Sequence, residues 1–524
     1  MQVTSMHFKA RAGQKLADKR LQENLKKLST KWVAGRAQAI TELDDFEATR
    51  DDAIERRNRA LANLDVWIER FEQQATARGA TVLFAETPAD AAKLVVEIAR
   101  KHGVRKVTKS KSMVSEEMAL NRALEAAGIQ PVETDLGEYI LQINNNEPPS
   151  HIVAPVVHKS KDEVSDLFAR VHQRPRLTDI PQMTREAREF LRPHFLSSDM
   201  GVSGGNFLIA ETGSVALFTN EGNEGMCTVV PKVHVVVTGI EKVLPTLDDL
   251  AAVARLLPRS ATGQSISNYF SILTGTREGA GRPGGEPDGP DHTYFVLVDG
   301  GRSGLIGGEF QDMLRCIRCG ACMNHCPVYQ KIGGHTYGWV YPGPMGSVLT
   351  PSYVGIENAL DLPQAATMCG ECHVVCPMKI PLPDLLRKLR EKQLDRRLRP
   401  LGERLGLMAW KFAAARPGLY RPMVRLASRV LKFVGGERGR ISSMPLAGGW
   451  TGTRDLMPPS GPTFKERWAQ RSGQGGPGVS RASGPVGPSV PSGSSGPSGS
   501  SGRSGPSSPS DTSGPSSPSG PAGG

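Results

Sequence analysis

The sequence predicts a multidomain chain built on an α/β unit with a parallel sheet. Three observations predict it. Apolar strand-like segments alternate with helix-patterned segments from residue 80 to residue 134. Seven of the eight cysteines fall in two tight runs late in the chain. From about residue 470 the sequence is almost entirely Gly, Pro and Ser. The length of 524 residues gives room for about three or four domains, with cores that need no covalent staples.

Residues from about 8 to 78 are charged and helix-patterned. Leu21, Leu25, Leu28 and Trp32 recur at helical spacing, as do Ile54, Leu61, Leu64, Ile68 and Phe71. Both stripes are expected to pack on the next domain, with Arg56, Arg57 and Arg59 on a solvated face. At Ala80 the texture changes. Thr81-Val-Leu-Phe-Ala reads as a buried strand and Pro88 to His102 as a helix. Val104 to Val107 is a second strand, Val114 to Ala127 a helix and Pro131-Val-Glu-Thr a third strand. Such alternation implies a parallel sheet covered on both faces. Its ligands are expected beyond the carboxyl ends of the strands, in the loops Thr108-Lys-Ser-Lys-Ser-Met and Glu133-Thr-Asp-Leu-Gly-Glu138.

After a helical excursion at about 161–196 the sheet is expected to continue. Gly201-Val-Ser-Gly-Gly-Asn206 reads as a glycine-rich turn, Phe207-Leu-Ile-Ala as a strand and Glu211 to Phe218 as a hairpin continuation. Thr219-Asn-Glu-Gly-Asn-Glu-Gly reads as a polar turn. Val233 to Gly239 and Tyr294 to Asp299 are further buried strands. Ser110, Ser112, Glu138, Thr212 and Glu221 are the polar loop residues put forward for a site. A glycine turn can cradle an anion, but ordinary tight turns use the same residues. No dinucleotide fingerprint is present, because Gly201, Gly204 and Gly205 lack its spacing. Thr276 to His292, rich in Gly and Pro, reads as a loop or hinge.

The cysteines carry the chemistry. The first run is Cys316-Ile-Arg-Cys319-Gly-Ala-Cys322-Met-Asn-His-Cys326-Pro327, the C-x2-C-x2-C-x3-C-P pattern of bacterial iron–sulfur proteins. Its fourth cysteine ligates the other cluster of a pair. The second run, Cys369-Gly-Glu-Cys372-His-Val-Val-Cys376-Pro377, repeats the last three offsets of the first, and its missing first cysteine falls at Ala366. Crossed ligation then assigns Cys316, Cys319, Cys322 and Cys376 to one cluster and Cys326, Cys369 and Cys372 to another. The second cluster needs water, another side chain or a partner at its fourth iron, or is [3Fe-4S]. His325 and His373 are the nearest alternatives in sequence, expected only to border the sulfurs. Cys227 is remote in the chain. Structural zinc prefers paired tetrahedral sets and fits the spacing poorly, and runs this tight cannot all form disulfides without strain.

Cysteines gathered in this way leave no disulfide framework, which points to a reducing compartment. Residues 1–9 lack the apolar core of a signal peptide and a twin arginine, and no apolar run approaches ~18 residues. The expectation is a cytoplasmic protein whose membrane association, if any, comes through partners. The net charge of +11 is spread among many acids and no nucleic-acid module is recognisable, so a solvated basic surface is expected. After the cysteines come an amphipathic helix from Pro383 and a basic helical region at about 391–468. The Gly/Pro/Ser tail buries too little to fold.

Thr108-Lys-Ser-Lys-Ser-Met, Glu133-Thr-Asp-Leu-Gly-Glu-Tyr-Ile, Pro149-Ser-His-Ile-Val, Glu211-Thr-Gly-Ser, Gly239-Ile-Glu-Lys-Val-Leu-Pro-Thr-Leu-Asp-Asp-Leu and Tyr337-Gly-Trp-Val-Tyr-Pro-Gly-Pro-Met-Gly, together with both cysteine runs, carry a resemblance. Over nearly everything before the tail the chain resembles the lactate utilization protein B family, iron–sulfur proteins of bacterial lactate oxidation. The segment around Trp450 resembles that family's terminal domain. The resemblance implies a LUD α/β domain related to the CoA-transferase and ribose-5-phosphate isomerase group, and an α-helical ferredoxin domain with two [4Fe-4S] clusters. It implies joint action with lactate utilization proteins A and C in oxidising L-lactate to pyruvate. The three-cysteine second run is the family's own pattern; the tail departs from it. The expected division is 1–78 helical, 79–304 LUD, 305–390 iron–sulfur, 391–468 helical or irregular, and 469–524 tail. The leading expectation is an electron-transfer subunit. The alternatives are a subunit of another 2-hydroxy-acid dehydrogenase and a non-enzymatic iron–sulfur sensor or scaffold. The downstream electron acceptor is not named by the sequence.

Overall fold

The computed structural model describes residues 2–277, 289–437, 439–444, 448–452 and 454–473. Most of the expected loop at 276–292, and the tail beyond residue 473, lie outside the described residues. The chain divides into two compact units, residues 1–409 and residues from 410 onward.

Four helices open the first unit: α1 (Phe8–Leu16), α2 (Lys19–Ile40), α3 (Phe46–Ala62) and α4 (Leu64–Ala77). Asp18 and Asp45 cap α2 and α3, accepting from Leu21 N at 3.0 Å and Ala48 N at 2.8 Å. The first stripe and the start of the second, Ile54 and Leu61, share one core, whereas the rest of the second turns to the sheets. Leu21 and Leu25 join the core of the cysteine-bearing region, with Leu21 against Gly333. Leu64 and Phe71 pack on the sheets, Phe71 edge-on to Phe295 at 5.0 Å. The expected solvated arginine face holds for Arg59 but not for Arg57, whose side chain is fully buried.

The main sheet is built from β1 (Thr81–Ala85), β2 (Lys106–Lys109), β3 (Gln130–Glu133), β4 (Met200–Ser203), β7 (Val233–Gly239) and β10 (His292–Val298). The spatial order is β1-β10-β7-β4-β2-β3 and every neighbouring pair is parallel. The Val-rich β7 lies at the centre, with Val235, Val236 and Val237 fully buried, as a strand covered on both faces requires. β1 is an edge strand rather than a buried one, and Phe84 on it is half exposed. The crossovers carry α5 (Pro88–Lys101), α6 (Met113–Glu117), α7 (Leu120–Ala126), α8 (Leu136–Ile143), α9 (Lys161–His172) and α10 (Ile180–Leu196). The single helix expected at 114–127 breaks in two, because Ala119 adopts the left-handed region with φ 51°.

The sheet does not simply continue after α10. Residues 201–203 of the expected glycine turn belong to β4, leaving Gly204, Gly205 and Asn206 as the turn. Gly201 within β4 is required by close approach, since a Cβ there would sit 1.7 Å from the Cys227 carbonyl of α11 (Asn223–Val229). The hairpin β5 (Phe207–Ile209) and β6 (Ser214–Thr219) belongs to a second sheet, ordered β8-β5-β6-β9 with β8 (Val243–Leu244) and β9 (Tyr269–Thr274). Helix α12 (Leu247–Ala261) starts at a capping box of Thr246 and Asp249, and Asp249 also receives Arg56 and Arg59 of α3.

The cysteine-bearing region follows with α13 (Ala321–Asn324), α14 (Tyr329–Ile332), α15 (Gly343–Val354), α16 (Glu371–Val374) and α17 (Leu382–Asp395). The aromatics of the long intervening segment, Tyr337, Trp339 and Tyr341, are core residues. Helix α18 (Leu401–Ala414) leads to the second unit, whose main helix is α19 (Pro417–Gly435). No helix among the described residues is long and apolar enough to cross a membrane.

Candidate iron–sulfur centres and an adjoining cavity

The two cysteine runs fold as a repeat fifty residues apart. Arg318 and Met368 both take φ 59°, and the glycines after Cys319 and Cys369 take φ 79° and 87°. Each glycine then begins a one-turn helix, α13 or α16. Met323 N and His373 N donate to the Gly320 and Gly370 carbonyls, both at 2.9 Å, and the last cysteines close the turn through Cys326 N to Met323 O and Cys376 N to His373 O. Cys319, Cys322 and Cys326 thereby correspond to Cys369, Cys372 and Cys376, and Cys316 corresponds to Ala366.

This arrangement sorts the cysteines into two cavities. One is lined by Cys316, Cys319, Cys322 and Cys376, with Ile317, Arg318 and Met345 among its walls. The other is lined by Cys326, Cys369 and Cys372, with Ala366, Met368 and Glu371 beside them. All seven thiols are free of disulfides. In the first set Cys319 and Cys376 are buried and Cys316 and Cys322 half-buried; in the second Cys326 is buried, Cys372 half-buried and Cys369 exposed, with Met368 and Glu371 exposed beside it. His325 and His373 line neither cavity. Their Nδ1 atoms donate to the Ala321 and Ile380 carbonyls at 2.9 and 3.0 Å.

Cations hold the backbone around both runs. Arg36 donates to the Val375 carbonyl (2.9 Å) and Arg50 to the Cys376 carbonyl (2.6 Å). Arg57 donates to the carbonyls of Val243 (3.0 Å), Glu241 (2.6 Å) and Leu314 (2.9 Å), and Lys242 to the Cys316 carbonyl (2.9 Å). Four thiolates on an iron–sulfur cube carry net negative charge, and buried cations nearby offset it. The thiol set and its cationic surround therefore fit such a group.

A further cavity, of about 280 Å³, lies at the carboxyl ends of β2, β3, β4 and β7, where an open parallel sheet places its ligands. Ser110, Lys111 and Ser112 come from the loop after β2, Asp135 from that after β3, Gly204 and Gly205 from that after β4, and Glu241 and Lys242 from that after β7. Glu221, Asn223 and Glu224 close one side. Ile317, Arg318 and Tyr341 of the cysteine region close the other, and Ile317 and Arg318 also line the four-cysteine cavity. A buried network fixes that side. Arg302 pairs with Glu117 (2.7 Å) and Glu241 (2.8 Å), Arg318 approaches Glu241 (3.5 Å) and stacks over Tyr341 (4.6 Å), and Tyr341 donates to Glu117. Burial alone would raise the Glu241 carboxyl; Arg302, then Lys242 and Arg318, hold it at about 2. Burial, with Asp135 nearby, pushes Glu221 and Glu224 up to about 7. Burial, then the Arg318 charge, pulls Lys242 down to about 7, while Glu241 acts the other way.

Of the five polar residues put forward from sequence, Ser110, Ser112 and Glu221 line this cavity. Ser112 is also the cap of α6, accepting from Ser115 N at 3.2 Å. Glu138 is buried behind it on α8, its carboxyl held well above the usual range by burial and by Glu133 and Asp135. Thr212 lies in the β5–β6 turn, away from the cavity. Sequence reasoning put forward neither Lys111 nor Lys242, Asn223, Glu224 and Arg318. The charged pair Glu241-Lys242, directly after the most apolar strand, is the signal that points there. Cys227 is buried against Thr134 at 3.3 Å, remote from both cysteine cavities. Glu147, His158 and His335 also gather within reach of one another, with Lys159 paired to Glu147 at 2.6 Å.

A parallel α/β domain joined to paired cysteine cavities defines an iron–sulfur protein of the LUD class. Three family models agree with it: LUD domain over residues 68–282, 4Fe-4S dicluster domain over 312–380, and Lactate utilisation protein B, C-terminal, over 387–473. The chain is 42% identical to lactate utilization protein B of Geobacillus kaustophilus over 83% of its own length and 91% of the relative's. It is 41% identical to that of Geobacillus thermodenitrificans, over 88% and 98%, and 38% identical to that of Lysinibacillus sphaericus, over 90% and 98%. The chain belongs to the lactate utilization protein B family.

Proposed function

We propose that this chain is the iron–sulfur electron-transfer subunit of a complex that oxidises L-lactate to pyruvate and so allows growth on lactate. The sorting of seven cysteines into a four-thiol and a three-thiol cavity carries the reading, and the relatives' names supply the substrate. Cys316, Cys319, Cys322 and Cys376 hold one [4Fe-4S] cluster. Cys326, Cys369 and Cys372 hold the second, which is either [4Fe-4S] with an open iron beside Ala366 or [3Fe-4S]. Residues 79–304 are the LUD domain, of the CoA-transferase and ribose-5-phosphate isomerase type. Residues 305–390 are an α-helical ferredoxin domain, flanked by helical regions 1–78 and 391–468 and the tail 469–524. Lactate utilization proteins A and C are the partners.

Conversion of L-lactate to pyruvate releases two electrons and two protons, and each cluster, when bound, takes up and passes on one electron at a time. The chain's own residues bury Cys319 and Cys376 of the first thiol set, offset its charge through Arg36, Arg57 and Lys242, and leave Cys369 of the second set at the surface for a partner. The test is cluster reduction by L-lactate, read by EPR on the anaerobic protein with its partners present. Reduction is expected in the wild type. Cys369→Ser is expected to abolish lactate-dependent electron transfer while the LUD domain stays folded by circular dichroism. Undiminished lactate turnover in that variant would overturn the reading.

A further inference from the structure

We propose that the cavity at the carboxyl ends of β2, β3, β4 and β7 is a binding site for a small hydroxy-carboxylate, held by Lys111, Lys242, Ser110 and Asn223. The inference deepens the electron-transfer reading: it rests on that reading for the ligand's use, not for its binding.

Two lysines line this cavity; Glu138 and Glu221 lie in the field of Lys111 and Glu241 in that of Lys242, but among the described residues no carboxylate is in direct contact with either. Lys111 Nζ donates to the Val153 carbonyl at 2.6 Å and Lys242 Nζ to the Cys316 carbonyl at 2.9 Å, and neither has an ion pair among the described residues. Lys242 is only 6% exposed. A buried ammonium is costly unless its remaining N–H groups are used and its charge is met. Each lysine, oriented by a neutral carbonyl, has two further N–H groups for a ligand. The nearest strong anion, Glu241, is already taken up by Arg302. Asp135 is likewise committed, its Oδ1 accepting from Gly137 N and Glu138 N at the start of α8. The positive wall is therefore open to an incoming anion.

The polar atoms beside that wall specify more than charge. Ser110 is 2% exposed, lines the cavity, and its Oγ has no hydrogen-bond partner. Asn223 Oδ1 is also buried without a partner, while its Nδ2 donates to Thr134, which fixes which end of the amide faces in. Glu224 Oε2 is unpartnered as well. Native proteins satisfy nearly all such atoms with protein, water or ligand partners, so the three around this cavity are hydrogen-bonding positions open to a ligand. Asn223 Oδ1 can only accept, and it calls for a donor on the ligand. A hydroxyl beside the carboxylate supplies one. The volume of about 280 Å³ sits at the low end of small-molecule sites, which run from ~300 Å³, and suits a metabolite rather than a dinucleotide. The shared wall of Ile317 and Arg318 puts this ligand one residue layer from the four-cysteine cavity.

The test is calorimetric titration of the anaerobically purified full chain with L-lactate, propionate, which lacks the hydroxyl, and inorganic phosphate. Iron content and the EPR of the dithionite-reduced protein are recorded on the same samples. L-Lactate is expected to bind, with propionate and phosphate at least tenfold weaker. Lys111→Gln is expected to weaken L-lactate at least tenfold with unchanged iron and EPR signals. Asn223→Ala, which leaves both lysines in place, is expected to erase the preference over propionate. Wild-type protein with loaded clusters that does not bind L-lactate, or equal binding by Lys111→Gln, overturns the site and leaves the electron-transfer reading standing. Binding by protein that incorporates no iron–sulfur cluster supports the site and overturns that reading instead.

Discussion

Arg57 is fully buried on α3 and gives its guanidinium to three backbone carbonyls, one on the β7–β8 connection, one at the start of β8 and one just before Cys316. A buried charge is tolerated only with such a set of acceptors. Arg57→Met removes the donors and orphans carbonyls, at ~1–3 kcal/mol each, so a loss of about 3 kcal/mol is expected in urea unfolding of the cluster-loaded protein. A change below ~0.5 kcal/mol would assign the residue to the surface. Glu224 gives a pH signature. Its carboxyl is raised by burial from 4.5 to about 7, so the stability it contributes is full below about 4.5 and is lost as pH rises through 7. Glu224→Gln stays neutral, and thermal melts are expected to place it level with wild type at pH 4.5 and on the order of 3 kcal/mol above it at pH 8. Parallel pH profiles would contradict this. Neither residue's role was legible in the sequence. Arg56, Arg57 and Arg59 share one charged pattern, and only the carbonyls at 241, 243 and 314, distant in the chain, separate Arg57 from its neighbours.

At the scale of elements, the cysteine runs were legible because their chemistry is local. Three cysteines, a glycine and a proline within a few residues fix both spacing and backbone, and the repeat of φ 59° at Arg318 and Met368 follows from it. The empty position at Ala366 was legible for the same reason. Ala366→Cys restores the four-ligand pattern, so a [3Fe-4S] signal in the oxidised protein is expected to give way to [4Fe-4S] behaviour, with slower iron loss to a chelator. Unchanged EPR and iron loss would mean that this side chain does not reach the second cluster. The parallel strands were legible from their alternation with helices. The second sheet was not: β8 has two residues and β9 has none buried, so neither carries a period that a window can detect. The break at Ala119 and the edge position of β1 likewise depend on what surrounds them.

At the scale of the whole first unit, the parts lie in series. The cavity at the strand ends shares Ile317 and Arg318 with the four-cysteine cavity, and the three-cysteine cavity opens at the surface through Cys369. The N-terminal helices bind this series together, Arg36 and Arg50 reaching the second run and Arg57 the first. The location of the cavity was legible from the rule for parallel sheets. Its lysines were not, because nothing local distinguishes a lysine held by a carbonyl from one in water. The central claim is the crossed pairing of two clusters, and single serine substitutions test it most directly. Iron, acid-labile sulfide and reduced-state EPR are measured on anaerobic wild type and on Cys316→Ser, Cys376→Ser, Cys326→Ser and Cys369→Ser. The account predicts about seven or eight irons in the wild type and two separable signals. Cys316→Ser and Cys376→Ser lose one signal, and Cys326→Ser and Cys369→Ser lose the other. Zinc in place of iron, or Cys376→Ser grouping with Cys369→Ser, would contradict it.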